Sequence, residues 1–318
     1  MPLLDIQDLH VEFRQTAKTV TAVEGVSLQI SPGETVGLVG ESGSGKSVTA
    51  LSIAQLIPSP PVAYPKGRIL LEGLDTLTMS QAELRHIRGR IVSYVFQDPG
   101  SSLNPVFRIG SQIKESLHRH RPSAATDAEV LRLLRLVGIP APEARIKAYP
   151  HEMSGGMQQR AMIAMALASQ PKLLVADEPT TALDVTIQAQ IIDLLHTLKS
   201  QLGMAILLIT HNLGIVGDLA DRLVVMYAGQ IVEAGPTRAV LTDPKHPYTQ
   251  ALIRSVPQLG ANTDRLISIP GNVPSPGSFP TGCRFHPRCA DAQSSCRAIA
   301  PSLQNRGEGR STRCPVMA

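Results

Sequence analysis

Gly40-Glu41-Ser42-Gly43-Ser44-Gly45-Lys46-Ser47 follows the run Glu34-Thr35-Val36-Gly37-Leu38-Val39. It precedes a segment with apolar residues at Val48, Leu51, Ile53, Ala54 and Leu56 that Pro58 closes. The pattern is G-x-x-x-x-G-K-S set between a predicted strand and a predicted helix over Ser47–Ile57. Glycines let successive backbone N–H groups turn inward around phosphate oxygens, and a helix start adds positive potential. Lys46 is then placed to reach the β- and γ-phosphates of a nucleotide, and the Ser47 hydroxyl to ligate Mg²⁺. Gly40, Ser42, Gly43, Ser44 and Gly45 would line the loop. The plain alternative, a chance glycine turn, leaves the flanking strand and helix unexplained.

Working outward, Asp5–Phe13, Val26–Ile30 and Arg90–Gln97 read as strands, the last on Ile91, Val92, Tyr94, Val95 and Phe96. From about Pro99 to Gln170 helical patterning takes over. Ala128–Val137 sets Leu131, Leu134 and Val137 among Arg132 and Arg135, and Ser154 stands as an N-cap ahead of Gln158–Ser169. Strand signals return at Lys172–Ala176, Ala205–Thr210 and Leu223–Met226. Strands alternating with helices predict an α/β core with a mostly helical insertion at about 99–170.

The chain has 318 residues, 43% of them hydrophobic, enough for a sizeable core and too many for disorder. No run approaches eighteen apolar residues, so no membrane-spanning helix is expected. Met1-Pro2-Leu3-Leu4-Asp5 has neither a basic nor an apolar leader region, so no secretory signal is expected and a cytoplasmic chain is predicted. The net charge of +4 resides in the tail, where residues 246–318 hold eight Arg and three acidic residues. With no Trp and 3% aromatic residues, a base-stacking surface is not expected, and no nucleic-acid partner is expected. All four cysteines and nine of the 25 prolines also fall in that tail, so a domain boundary is placed near His246, giving domains 1–245 and 246–318.

Lys172-Leu-Leu-Val-Ala-Asp177-Glu178 is an apolar strand ending in two carboxylates. Asp177 suits a Mg²⁺ shell, because a hard cation on phosphate takes one or two carboxylates plus waters. Glu178 is then placed to orient and deprotonate an attacking water. A solvated acidic turn would look the same in isolation; the pairing with the phosphate loop decides. Met153-Ser154-Gly155-Gly156-Met157-Gln158-Gln159-Arg160 opens a helix with a serine and two glycines, a second anion-binding pattern.

This set resembles the ATP-binding-cassette ATPases, with Ser154–Gln158 similar to their signature motif, over roughly residues 3–240. The resemblance implies a RecA-like phosphate-loop core with an antiparallel β subdomain and a helical subdomain. It also implies that Ser154, Gly155 and Gly156 bind the γ-phosphate of ATP held by a second ATPase subunit. Met153 and Met157 replace the usual Leu and Gln; both are unbranched chains of similar length, so tolerance is expected. Gln97, in Phe-Gln-Asp-Pro, resembles the glutamine that contacts Mg²⁺ and water and faces the membrane partner. Thr181-Ala-Leu-Asp184 resembles the loop whose Asp crosses to the other subunit, and His211 resembles the histidine that contacts the γ-phosphate. Phe13 matches the aromatic that stacks on adenine, although a buried strand aromatic would serve as well there. Met157, Met162 and Met165 are read as core, and His118-Arg119-His120-Arg121 as a solvated face.

The tail cysteines, Cys283, Cys289, Cys296 and Cys314, are spaced Cys-x5-Cys-x6-Cys-x17-Cys. Disulfides are disfavoured in a cytoplasmic chain. Their clustering suggests a shared metal centre, although the tight knuckle of structural zinc and the ferredoxin spacings are both missing, and four unrelated thiols stay open. His246-Pro247-Tyr248-Thr249 followed by this tail resembles the C-terminal extension of dipeptide/oligopeptide importer ATPases, most like their D subunit. That resemblance implies a four-iron four-sulfur cluster on the four cysteines, with zinc as the alternative, ordering a tail poor in apolar residues. It further implies a related but distinct ATPase partner, two transmembrane permease subunits and an extracytoplasmic peptide-binding protein, with this chain peripheral on the cytoplasmic face of the membrane. Import of nickel or another small solute, or a soluble cassette acting on nucleic acid or ribosomes, are the competing functions.

Overall fold

A computed structural model describes residues 1–14, 18–181, 183–256 and 268–316. Ala182 of the Thr181–Asp184 loop and parts of the 246–318 segment lie outside them. The chain forms two compact units, residues 1–78 with 208–318, and residues 79–207.

In the first unit an antiparallel sheet runs in the order Thr19–Ile30, Leu4–Arg14, Val62–Leu71, Leu74–Asp75. Leu4, Ile6, Leu9 and Val11 are buried, so the alternation slips by one residue midway. The pairing register shifts between Ile6 and Leu9, and Asp8 adopts φ +47°, so the extra residue is taken up as an irregularity that returns Leu9 to the core face.

A second set of strands in this unit carries the phosphate loop. Thr35–Val39, buried throughout, pairs in parallel with Arg222–Tyr227, and that strand turns at Ala228-Gly229 into the antiparallel Gln230–Pro236. The tail extends this edge: Arg310–Thr312 pairs with Gln230–Pro236, and Gln304–Gly307 pairs with Arg310–Thr312. The helix after the loop spans Lys46–Ser52, shorter than the expected Ser47–Ile57. Gln55 takes the left-handed conformation, Leu56 N–H donates to the Leu51 carbonyl and Gln55 N–H to that of Ser52. This is a Schellman termination in which glutamine replaces the usual glycine, a signal that the apolar periodicity hides.

In the second unit Val92–Val95 and Leu173–Asp177 form a parallel pair, and Leu173–Ala176 are fully buried, as expected for a strand covered on both faces. The helices Ile109–His120, Asp127–Leu136 and Gly155–Leu167 lie in the segment read as helical. Ala161–Ala164, Ala166 and Leu167 are all buried, so Gly155–Leu167 is a central helix rather than an amphipathic one. Met162 is core, and Met157 and Met165 are half-buried. Of the His118–Arg121 run only His118 and Arg119 are exposed; Arg121 is paired with Glu129 at 3.0 Å.

The tail is anchored on the first unit largely through polar groups. The buried Glu233 carboxylate accepts the N–H groups of Lys245 and His246, each at 2.8 Å, and His246 Nδ1 in turn accepts the Tyr248 N–H at 3.0 Å. Burial, aided by Arg313, pushes the His246 pKa from 6.5 down to about 3. The unfolded chain therefore takes up this proton before the folded chain does, and stability falls as pH drops through that window. His246→Asn retains a capping acceptor and removes the titration. Urea unfolding between pH 6 and 4 should show a dependence shallower in the variant by about 1.4 kcal/mol per pH unit. Parallel pH profiles would remove His246 from this role.

Candidate functional site

The first unit supplies the loop. Gly40 leaves the strand Thr35–Val39 with φ +151°, and a Cβ there would stand 2.2 Å from the Met226 carbonyl oxygen, so only glycine lets the loop pass that strand. Gly45 caps the following helix at φ +100°. Lys46 is buried, and its Nζ donates to the carbonyls of Gly40 at 2.8 Å and Glu41 at 3.0 Å, so the loop curls round the ammonium. Ser44 Oγ is buried with no hydrogen-bond partner among the described residues, an acceptor and donor held ready for a ligand oxygen. Ser42, Gly43 and Ser47 are exposed. His211 is exposed directly after the strand Ala205–Thr210, and Phe13 is half-buried on the antiparallel sheet.

The second unit carries the two carboxylates Asp177 and Glu178. Val95 pairs with Ala176, so Gln97 and Glu178 each lie two residues beyond the same rung. Gln97 Nε2 donates to Glu178 Oε2 at 3.1 Å, and Thr181 Oγ1 donates to the same oxygen at 2.9 Å. Glu178 adopts φ +47°, a conformation that costs a non-glycine residue about 1 kcal/mol and is held by its surroundings. Asp177 is half-buried at the end of its strand.

The starts of the helices Gly155–Leu167 and Val185–Leu202 converge within the same unit. Ser154 caps Gly155–Leu167, accepting the Met157 N–H at 3.4 Å, and Asp184 caps Val185–Leu202, accepting the Ile187 N–H at 2.9 Å. A Cβ on Gly156 would stand 2.8 Å from Ile187 Cγ2, so glycine lets the two helix starts approach. Gly155, Ser154 and Asp184 are exposed there.

Sequence reasoning missed the residues that hold Glu41. Its N–H donates to the Tyr248 hydroxyl at 2.9 Å, and its carboxylate receives both Arg288 Nη atoms, at 3.0 and 2.9 Å. Glu41 occupies an unspecified position of the loop motif, so the arginine excess of the tail was the sole hint.

The expected four-iron four-sulfur cluster on Cys283, Cys289, Cys296 and Cys314 is not supported, and the zinc alternative fails with it. Among the described residues no group of three or more His, Cys, Asp or Glu is disposed to hold a metal ion. The four cysteines are free thiols. The cavity they share with Pro247 and Phe285 holds about 10 Å³, room for a single water at most. Burial raises the Cys283 pKa and pushes that of Cys289 up to about 11. The tail finds its order elsewhere. Arg284 pairs with Glu24, Arg288 with Glu41 and Arg310 with Glu233, while Phe285 packs on Tyr227 and Tyr248 with ring centroids 5.2 and 5.3 Å apart.

Comparison with known proteins agrees with this geometry. Residues 23–181 match the ABC transporter family, and residues 232–296 match the C-terminal region of oligopeptide/dipeptide transporters. A Brucella ovis protein, provisionally named a peptide import ATP-binding protein, is 50% identical over 98% of this chain and 96% of its own length. A Brucella abortus protein of the same provisional name is 49% identical over 99% and 95%. A dimeric ATP-binding cassette in a post-hydrolysis state, bound to ADP and Pi, superposes with TM-score 0.65 at 25% identity, covering 74% of this chain and 99% of that one. A Clostridium perfringens component of an ABC transporter complex superposes equally well, over 76% and 91%. The chain belongs to the ABC transporter family of ATP-binding proteins.

Proposed function

We propose that this chain hydrolyses ATP to drive the import of di- and oligopeptides. The observation that carries the reading is one chain holding both an ABC cassette and the C-terminal region of oligopeptide/dipeptide transporters. Near-full-length relatives with peptide-import names support the same cargo.

Phosphoryl transfer to water asks mainly for positioning and charge. Lys46 exchanges the Gly40 and Glu41 carbonyls for β- and γ-phosphate oxygens, and Ser44 Oγ gains a partner in the same step. The Ser47 hydroxyl and the Asp177 carboxylate, with Gln97, are hard oxygen donors that fit Mg²⁺, which would supply positive charge at the phosphates. Glu178, oriented through Oε2 by Gln97 and Thr181, takes the proton of the attacking water, and His211 steadies the γ-phosphate. Phe13 stacks on the adenine. Ser154, Gly155, Gly156 and Asp184 face the nucleotide of a second, related ATPase subunit.

No helix among the described residues is long and apolar enough to cross a membrane. The proposed location is peripheral, on the cytoplasmic face, against two permease subunits served by an extracytoplasmic peptide-binding protein. Phe96, Val106 and Phe107, exposed near Gln97 in sequence, offer apolar surface for that docking.

Uptake of labelled di-, tri- and pentapeptides, with nickel alongside, tests the reading in cells lacking other peptide importers. Lys46→Ala should abolish uptake of one peptide length class. Undiminished peptide uptake would sink the peptide reading, and a loss confined to nickel would reassign the cargo.

A further inference from the structure

Glu41, the second residue of the phosphate loop, is gripped at three groups. Its carbonyl accepts from Lys46 inside the loop. Its N–H and its carboxylate are held by Tyr248 and Arg288, both far beyond the cassette motifs. We infer that the C-terminal region positions the phosphate loop for ATP through Glu41, with Arg288 and Tyr248 as positioning residues. The inference rests on the reading of this loop as the ATP site.

Both grips are rigid. The Arg288 side chain is 6% exposed and its bonds extend past Glu41. Nε donates to the Pro270 carbonyl at 2.8 Å, Nη2 reaches the Gly271 and Ile269 carbonyls at 3.3 and 3.4 Å, and Nη1 reaches the Tyr227 hydroxyl at 3.4 Å. The guanidinium also stands 5.7 Å from the centre of the Tyr227 ring. A planar fork with this many fixed partners sets the carboxylate in one place, which a lysine could not do. Tyr248 is fully buried, its ring 4.6 Å from Tyr227 and 5.3 Å from Phe285, so its hydroxyl is an immobile acceptor for the Glu41 N–H.

The consequence falls on binding. A glycine-rich loop must be fixed in one conformation before its N–H groups can converge on phosphate, and every residue held in advance lowers that entropic cost. Ser42 and Gly43 are exposed and Lys46 holds the loop from within, so Glu41 is where the tail acts. Arg288 and Tyr248 touch no reacting atom, so the turnover of bound ATP should change little.

ATP affinity and steady-state hydrolysis of the full-length chain test this in Arg288→Ala, Arg288→Lys and Tyr248→Phe. Tyr248→Phe keeps the ring packing and removes only the acceptor, so it remains informative where Arg288→Ala fails to fold. The expected result is an ATP Kd and KM raised about tenfold in Arg288→Ala and about threefold in Tyr248→Phe. The kcat at saturating ATP should stay within about twofold, and Arg288→Lys should restore little of the affinity. Native ATP affinity in Tyr248→Phe and in folded Arg288 variants would overturn the inference. A fall in kcat with KM unchanged would overturn it too, since that places the residues in the chemical step. If the native chain itself fails to bind ATP, the ATP reading falls, and this inference with it.

Discussion

Glu178→Gln should bind ATP with near-native affinity and hydrolyse it about 10²- to 10⁴-fold more slowly. The glutamine amide oxygen can accept the same two hydrogen bonds that Gln97 Nε2 and Thr181 Oγ1 now give to Oε2. The backbone at φ +47° is equally demanding of both side chains, so the fold should tolerate the exchange. What is lost is a group able to take a proton from water, and with it the step proposed for Glu178. Single-turnover hydrolysis together with nucleotide binding separates the two effects. A variant that keeps most of its hydrolysis rate removes Glu178 from the role of base.

The second large effect is steric. Gly40→Ala places a Cβ 2.2 Å from the Met226 carbonyl oxygen and 2.9 Å from Ser44 Oγ, at a φ of +151° that alanine resists. The obstructing atom is backbone in a strand paired with Thr35–Val39, so it cannot swing aside as a side-chain tip would. Backbone strain and overpacking together should cost about 3–5 kcal/mol of stability. The loop would also be pushed off its path, weakening ATP binding by more than about 100-fold. Chemical unfolding and nucleotide titration measure the two separately. A Gly40→Ala chain with native stability would mean that the loop passes Met226 at a greater distance than the structure shows.

Legibility differed from element to element for physical reasons. The strands Thr35–Val39, Leu173–Asp177 and Ala205–Thr210 are short apolar runs buried on both faces, and composition alone marks such runs. Ser154 announced a helix start because a cap is local chemistry, its hydroxyl accepting the Met157 N–H at 3.4 Å. The early end of Lys46–Ser52 was hidden, since the turn at Gln55 depends on a left-handed glutamine whose side chain also donates to the Thr76 carbonyl. The cysteines misled for the opposite reason. Closeness in sequence, in a segment with little apolar content, suggested a shared metal, whereas arginine pairs and the ring of Phe285 order the tail.

The residues alone determined the phosphate loop, the strand ending in Asp177-Glu178 and the membership in a nucleotide-binding α/β class. Those features are set by glycine geometry, charge and periodicity within a few positions of one another. The tertiary structure alone decided that Gln97 Nε2 reaches Oε2 of Glu178, a contact that follows from the parallel register of two strands distant in sequence. It also decided that Arg288 closes on Glu41 across 247 positions. An ion pair between such distant residues leaves no period or spacing to read, because its geometry exists only once the chain has folded back on itself.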